Sequence, residues 1–141
     1  MTNNKIAITI TIKAPIQKVW DSLANWENQG DWMLQTKVWV TSQSHEGVGT
    51  EISAFTGIGR LGILDTMSVT NWQPPHTCDV VHTGTIIKGT GRFHLRELDK
   101  STTAFDWSEV VIAPRVIFLA LWPALYGGVR ISLARFSRTF R

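Results

Sequence analysis

After Ala113-Pro114 the hydrophobic period of this chain changes from two residues to nearly four, and that switch limits its fold more than any other feature. Phe118, Trp122, Leu125, Val129, Leu133, Phe136 and Phe140 follow one another at steps of 4, 3, 4, 4, 3 and 4 residues, which holds them on one face of a long helix. Pro123 and the Gly127-Gly128 pair interrupt the run, so a kink is expected between 120 and 128. Such a stripe needs a broad apolar surface to cover it.

The rest of the chain supplies that surface as strands. Lys5–Lys13 alternates without a break and puts Ile6, Ile8, Ile10 and Ile12 on one face. Pro15 sits where the first turn of a helix tolerates it, and Ile16, Val19, Trp20 and Leu23 follow at helical spacing, giving a short helix over 15–24. Gly-broken Trp26–Met33 reads as a second short helix or a turn. Six strands follow, at Gln35–Ser42, Thr50–Thr56, Leu64–Trp72, Thr77–Thr83, Thr90–Leu98 and Thr103–Ile112, separated by HEGVG, GIGRLG, QPPH, the Gly84 region and LDKST. The order predicts an α+β fold in which a curved seven-stranded antiparallel sheet wraps around a long C-terminal helix, with two short helices after the first strand. At 141 residues a single domain, 1–141, is expected. A curved sheet cannot touch a straight helix everywhere, and the space between them is a natural ligand site of roughly 300–1,000 Å³.

Charge is divided unevenly. Residues 1–109 hold nine Lys/Arg against eleven Asp/Glu, whereas 110–141 hold five Arg and no acid. Arg130, Arg135, Arg138 and Arg141 are read as the solvated face of the last helix, complementing its negative end. With no basic stripe interleaved with aromatics, nucleic acid is not expected as a partner. Transient contact of the basic end with an anionic membrane is one further expectation. The longest apolar run, Val116–Tyr126, is eleven residues and contains Pro123. A spanning helix needs ~20, so no membrane span is expected. Lone Cys78 forms no internal disulfide, which fits a cytoplasmic protein, monomeric or homodimeric.

The segment IKAPIQKVWDSLANWENQGDW resembles the opening of the START-like or SRPBCC superfamily, in its polyketide cyclase/dehydrase and lipid-transport branch. Gly47-Val48-Gly49-Thr50, Val69-Thr70-Asn71-Trp72-Gln73-Pro74-Pro75 and the Trp107/Glu109 strand leading through Pro114 extend the resemblance over nearly the whole chain. It implies a helix-grip fold with an apolar cavity. It does not choose among carriers, receptors and cyclases.

On the last strand Phe105, Trp107 and Glu109 share a face, and the aromatics mark it as interior. An inward carboxylate beside aromatics has its pKa raised, which makes Glu109 the candidate general acid/base or polar anchor. Inward parity selects Ile52, Ala54, Met67, Val69, Phe93, Leu95, Phe105 and Trp107 from the strands as ligand-binding, with Leu125, Val129 and Leu133 from the helix. The fifth strand is ambiguous, because its faces His76/Cys78/Val80/His82 and Thr77/Asp79/Val81/Thr83 are equally mixed. No metal site is expected: His76 and His82 lie roughly 20 Å apart on an extended strand, too far for one ion. Gly57-Ile58-Gly59-Arg60-Leu61-Gly62 matches G-x-G-x-x-G but is followed by a strand pattern, so it reads as a hairpin connection near the pocket mouth and no cofactor is expected. The leading expectation is binding or transport of a small hydrophobic ligand of lipid, polyketide or isoprenoid kind. One alternative is a polyketide cyclase/dehydrase-type enzyme using Glu109 as general acid/base, and another is a peripheral membrane or partner-binding module acting through the C-terminal Arg cluster.

Overall fold

A computed structural model of the chain describes residues 2–140. Strand β1 (Thr2–Ile12) leads through Pro15 into helix α1 (Ile16–Ala24), a 3-10 turn (Trp26–Asp31), and then strands β2 (Thr36–Val40), β3 (Glu51–Ile58), β4 (Leu61–Gln73), β5 (Thr77–His82), β6 (Gly89–Asp99) and β7 (Thr102–Ala113). Helix α2 (Arg115–Arg138) closes the fold. The seven strands form one sheet in the order β1-β7-β6-β5-β4-β3-β2, every pairing antiparallel. β2 to β7 are thus a meander, and β1 returns to pair with β7 along its whole length.

The inner face of β1 carries Ile6, Ile8 and Ile12, all buried, with Ile10 half-buried between them. Asn4 continues that parity, and its buried amide donates to the carbonyls of Val111 and Ala113 at 3.1 Å each, stitching β1 to the end of β7. The buried Thr103 hydroxyl donates to Ala14 O at 2.8 Å, so the entry to α1 is tied to the start of β7. Trp20, Trp26 and Trp32 fill the space under α1 and the 3-10 turn, and Trp20 meets Trp72 edge-on at 5.1 Å.

Helix α2 divides into two halves. In its C-terminal half Leu133 and Phe136 are fully buried, and Phe136 packs on Trp32 at 4.7 Å and on Phe105 at 5.8 Å. Ser132 accepts from Leu34 N at 2.9 Å and donates to Gly128 O at 2.9 Å, while Arg135 donates to Asp31 O at 3.2 Å. Arg130 and Arg138 face solvent, and Arg141 lies outside the described residues. The N-terminal half buries only Phe118; Trp122 and Leu125, expected on the covered stripe, are 38% and 40% exposed. Covering fails there because the sheet's inner face lies back from the helix, leaving a gap. One helix spans the segment in which the kink is expected, with Pro123 and both glycines inside it.

Among the described residues α2 is long and apolar enough, by length and composition, to cross a membrane. This corrects the expectation of no such segment: Gly127 and Gly128 do not end the eleven-residue run, and the apolar window continues to Ile131 and Leu133. In this fold the last turns of α2 belong to the core, which a spanning position would dismantle.

Candidate functional site

Where α2 leaves the sheet, a cavity of about 290 Å³ opens between the inner faces of β3 to β7. The 3-10 turn and the residues after it close one end with Trp26, Gln29 and Met33, and Leu125 reaches in from α2. Strand alternation supplies the walls: Ala54 and Thr56 from β3, Ile63, Asp65 and Met67 from β4, Cys78, Val80 and His82 from β5. Gly91 and Phe93 from β6 and Trp107 and Glu109 from β7 complete them. Residues opposite one another in antiparallel strands share a face, so the pairs Met67↔His82, Val80↔Gly91, Gly91↔Glu109 and Phe93↔Trp107 bring these side chains together.

In this apolar chamber three titratable groups form one chain of hydrogen bonds. His82 Nδ1 lies 2.8 Å from Asp65 Oδ1, and His82 Nε2 bonds Glu109 Oε1. The imidazole is 5% exposed and each carboxylate 17%. Burial pushes the His82 pKa down, but the bonds to Asp65 and Glu109 and the two negative charges outweigh it and lift the imidazole to about 10. Burial pushes the Glu109 carboxyl up, against the opposing bond and charge of His82. Glu109 fits because β6 has no side chain opposite it: a Cβ on Gly91 would lie 2.6 Å from Glu109 Oε2 and 3.3 Å from Val80 Cγ2. The Cys78 thiol is pushed up to about 12 by burial and by Asp79, so it stays protonated and contributes to the wall as a small apolar group.

Of the residues expected to bind ligand, Ala54, Met67, Phe93, Trp107 and Leu125 stand on the cavity wall with Glu109. Ile52, Val69, Leu95, Phe105 and Leu133 do not: they share the inward parity but lie in the solid core, at most 1% exposed, where α2 and the tryptophans fill the space against the sheet. Val129 is half-buried against that same core and likewise lies off the wall. Glu109 pairs with His82. The ambiguity of β5 resolves in favour of Cys78, Val80 and His82 facing inward. Asp65 and His82 were not singled out from the sequence. Asp65 follows from the parity that selected Met67, whereas placing His82 requires the register across β4, which shifts at a bulge between Val69 and Asn71.

Gly57–Gly62 forms the β3–β4 hairpin, closed by the pair Ile58↔Leu61, with Gly59 at φ +60°. A strand follows it, and Ile63 carries the hairpin to the cavity mouth. A wider cleft of about 510 Å³ lies between α1 and the β2–β3 loop, lined by Asp21, Glu27, His45 and Glu46. It is open, with Trp20, Trp26 and Val40 beside those polar groups, and its Glu27–His45 pair, 3.7 Å apart, is largely solvated.

No family model and no curated protein sequence matches this chain. Solved structures do match it over nearly its full length. The Zhui aromatase/cyclase from Streptomyces sp. R1128 superposes with a TM-score of 0.80 at 16% identity, covering 98% of this chain and 93% of its own. A START superfamily protein from Mycobacterium smegmatis gives 0.78 at 12% identity, covering 98% and 99%. Norcoclaurine synthase from Thalictrum flavum gives 0.73 at 13% identity, covering 99% and 94%. The chain therefore has the helix-grip fold of the START/SRPBCC proteins, as its opening segment implied.

Proposed function

We propose that this protein binds a small, largely apolar molecule of lipid, polyketide or isoprenoid kind in the cavity between the sheet and α2. The observation that carries the reading is the cavity itself: about 290 Å³, walled mainly by Met33, Met67, Val80, Phe93 and Trp107, with Asp65, His82 and Glu109 joined at one place on its wall. Binding sites for small molecules combine apolar walls with a few converging polar groups in this way. START/SRPBCC neighbours that handle ligands on the same fold support it by analogy. The test fills the cavity. Ala54→Trp places an indole where Ala54 now meets the chamber, and titration with a neutral apolar fluorophore should show saturable binding to the wild type and at least ~10-fold weaker binding to the variant. Equal binding by both proteins would overturn the reading.

One observation favours a second reading, that of a cyclase/dehydrase-type enzyme. Glu109 is backed by His82, and His82 in turn by Asp65, the arrangement that holds a base oriented for proton transfer. Its test is the exchange of α-protons of an unbranched methyl ketone in heavy water, followed by NMR. A working base accelerates exchange over buffer, and Glu109→Gln returns the rate to the buffer value. Exchange that is no faster than in buffer contradicts it.

A further inference from the structure

The charge of the cavity identifies the head group of its ligand, an inference that rests on the ligand-binding reading above. Each of the two contacts of His82 joins a ring nitrogen to a carboxylate oxygen, and each such bond holds one proton. Wherever the shared proton sits between His82 and Glu109, two carboxylates and one imidazole holding two protons sum to a single negative charge. No described cation cancels it. Arg92, the one Lys or Arg on the wall, is engaged on the outer face by Asp79 at 2.7 and 2.9 Å.

An unbalanced charge among apolar walls is costly and is neutralised in one of two ways, by a further proton or by an entering cation. Both would act at the carboxylate oxygens that His82 leaves free, Asp65 Oδ2 and Glu109 Oε2, neither of which has a hydrogen-bond partner among the described residues; of the two, Glu109 Oε2 rests in the space that Gly91 leaves open. Metal ions do not fit. Both nitrogens of His82 are already taken, and among the described residues no three His, Cys, Asp or Glu form a metal-binding group.

We propose that the ligand is an apolar molecule bearing one protonated amine, whose ammonium donates to Glu109 Oε2 while its hydrocarbon body lies against Met67, Phe93 and Trp107. A fatty acid would set its carboxylate against Glu109 and is rejected, and a neutral alcohol gains only an ordinary hydrogen bond. Because the ammonium takes the place of a proton, amine affinity rises with pH as Glu109 ionises. The other titratable groups on the wall are Asp65, His82 and Cys78, with Arg92 behind them.

Calorimetric titration of the full chain with n-octylamine, n-octanol and n-octanoate below their aggregation limits tests this. Octylamine should bind at least ~10-fold more tightly than octanol, with octanoate weakest. Glu109→Gln should abolish the amine preference and keep octanol binding. Equal affinity of the wild type for amine and alcohol, or a preference that survives in Glu109→Gln, overturns the amine assignment and leaves apolar binding standing. Binding of none of the three overturns both, and the wild-type comparison decides even if the variant does not fold.

A different observation carries a second inference. The N-terminal half of α2 exposes Val116, Leu119 and Leu121, and across the cavity mouth, which Leu125 and Ile63 share, the β3–β4 hairpin exposes Ile58 and Leu61. Arg115 opens this half of α2 and Arg60 sits at the tip of the hairpin, both exposed, with no acid among residues 57–64 or 115–126; the other three arginines of α2 lie in its C-terminal half. An anionic bilayer complements both the apolar surface of the rim and this charge. We infer that this rim docks on an anionic lipid surface. Flotation with phosphatidylglycerol-containing vesicles should recover the protein, at least ~10-fold less with Leu119→Gln/Leu121→Gln and less again in high salt. Equal recovery on pure phosphatidylcholine, no recovery on either, or a solution dimer that Leu119→Gln/Leu121→Gln dissociates would overturn it.

Discussion

Glu109 owes its state to its neighbours. It is an ordinary carboxylate on an ordinary strand, made unusual by the absent side chain of Gly91 opposite and by the imidazole of His82 beside it. Gly91→Ala should therefore act on the site and on stability together. The new methyl would lie 2.6 Å from Glu109 Oε2, so the carboxylate must turn away from His82. Overpacking of this kind costs about 1–3 kcal/mol, and thermal unfolding of the variant measures it. The raised imidazole has its own signature. His82 titrates near 6.5 when unfolded and about 10 when folded, so its contribution is complete below 6.5 and is lost as the pH rises toward 10. The buried Glu109, also raised, contributes with the same sign. The melting temperature should fall across that interval and fall less steeply in His82→Gln. At this scale the sequence disclosed Glu109 through the aromatics that share its face, but not His82. Its strand has two equally mixed faces, and only the register with Met67 and Gly89 tells them apart.

At the scale of elements, α2 combines a helix that the core needs with one that it does not. Leu133 is 1% exposed and Leu119 59%. Leu133→Ala should cost about 2–5 kcal/mol, and Leu119→Ala should stay within about 0.5 kcal/mol, as chemical denaturation of the two variants would show. The glycines of the helix are unconstrained: a Cβ at Gly127 or Gly128 would meet nothing within 4 Å. Gly127→Ala should stabilise the protein by about 0.5–1 kcal/mol, since it gains helix propensity without a clash. A loss of stability would show that the position needs a conformation that alanine denies. The helical period was legible from Phe118 to Phe140, but a period states only which residues share a face. Whether a sheet reaches that face depends on how the sheet curves, and no local pattern encodes it. The strands were legible for the converse reason: alternation and turn residues are local, and each strand lies within a few residues of its expected bounds.

For the molecule as a whole, cavity and core have the same origin. One sheet face meets one helix, closely where Leu133 and Phe136 press on Phe105 and Trp32, and sparsely in the N-terminal half of α2, where Phe118 alone is buried. The fold was readable because the order of periods admits few packings. The division of the inward face into filled core and open chamber was not, because Ile52, Val69 and Leu95 carry the same parity as Ala54, Met67 and Phe93. The claim that this chamber receives an apolar molecule is most directly tested by NMR of methyl-¹³C methionine protein. Met33 and Met67 both stand on its wall. Added n-octylamine should shift both methyl signals saturably and with a common dissociation constant in the wild type, and much more weakly in Ala54→Trp. Signals from Met33 and Met67 that stay in place while the amine binds elsewhere, or that move equally in Ala54→Trp, would contradict it.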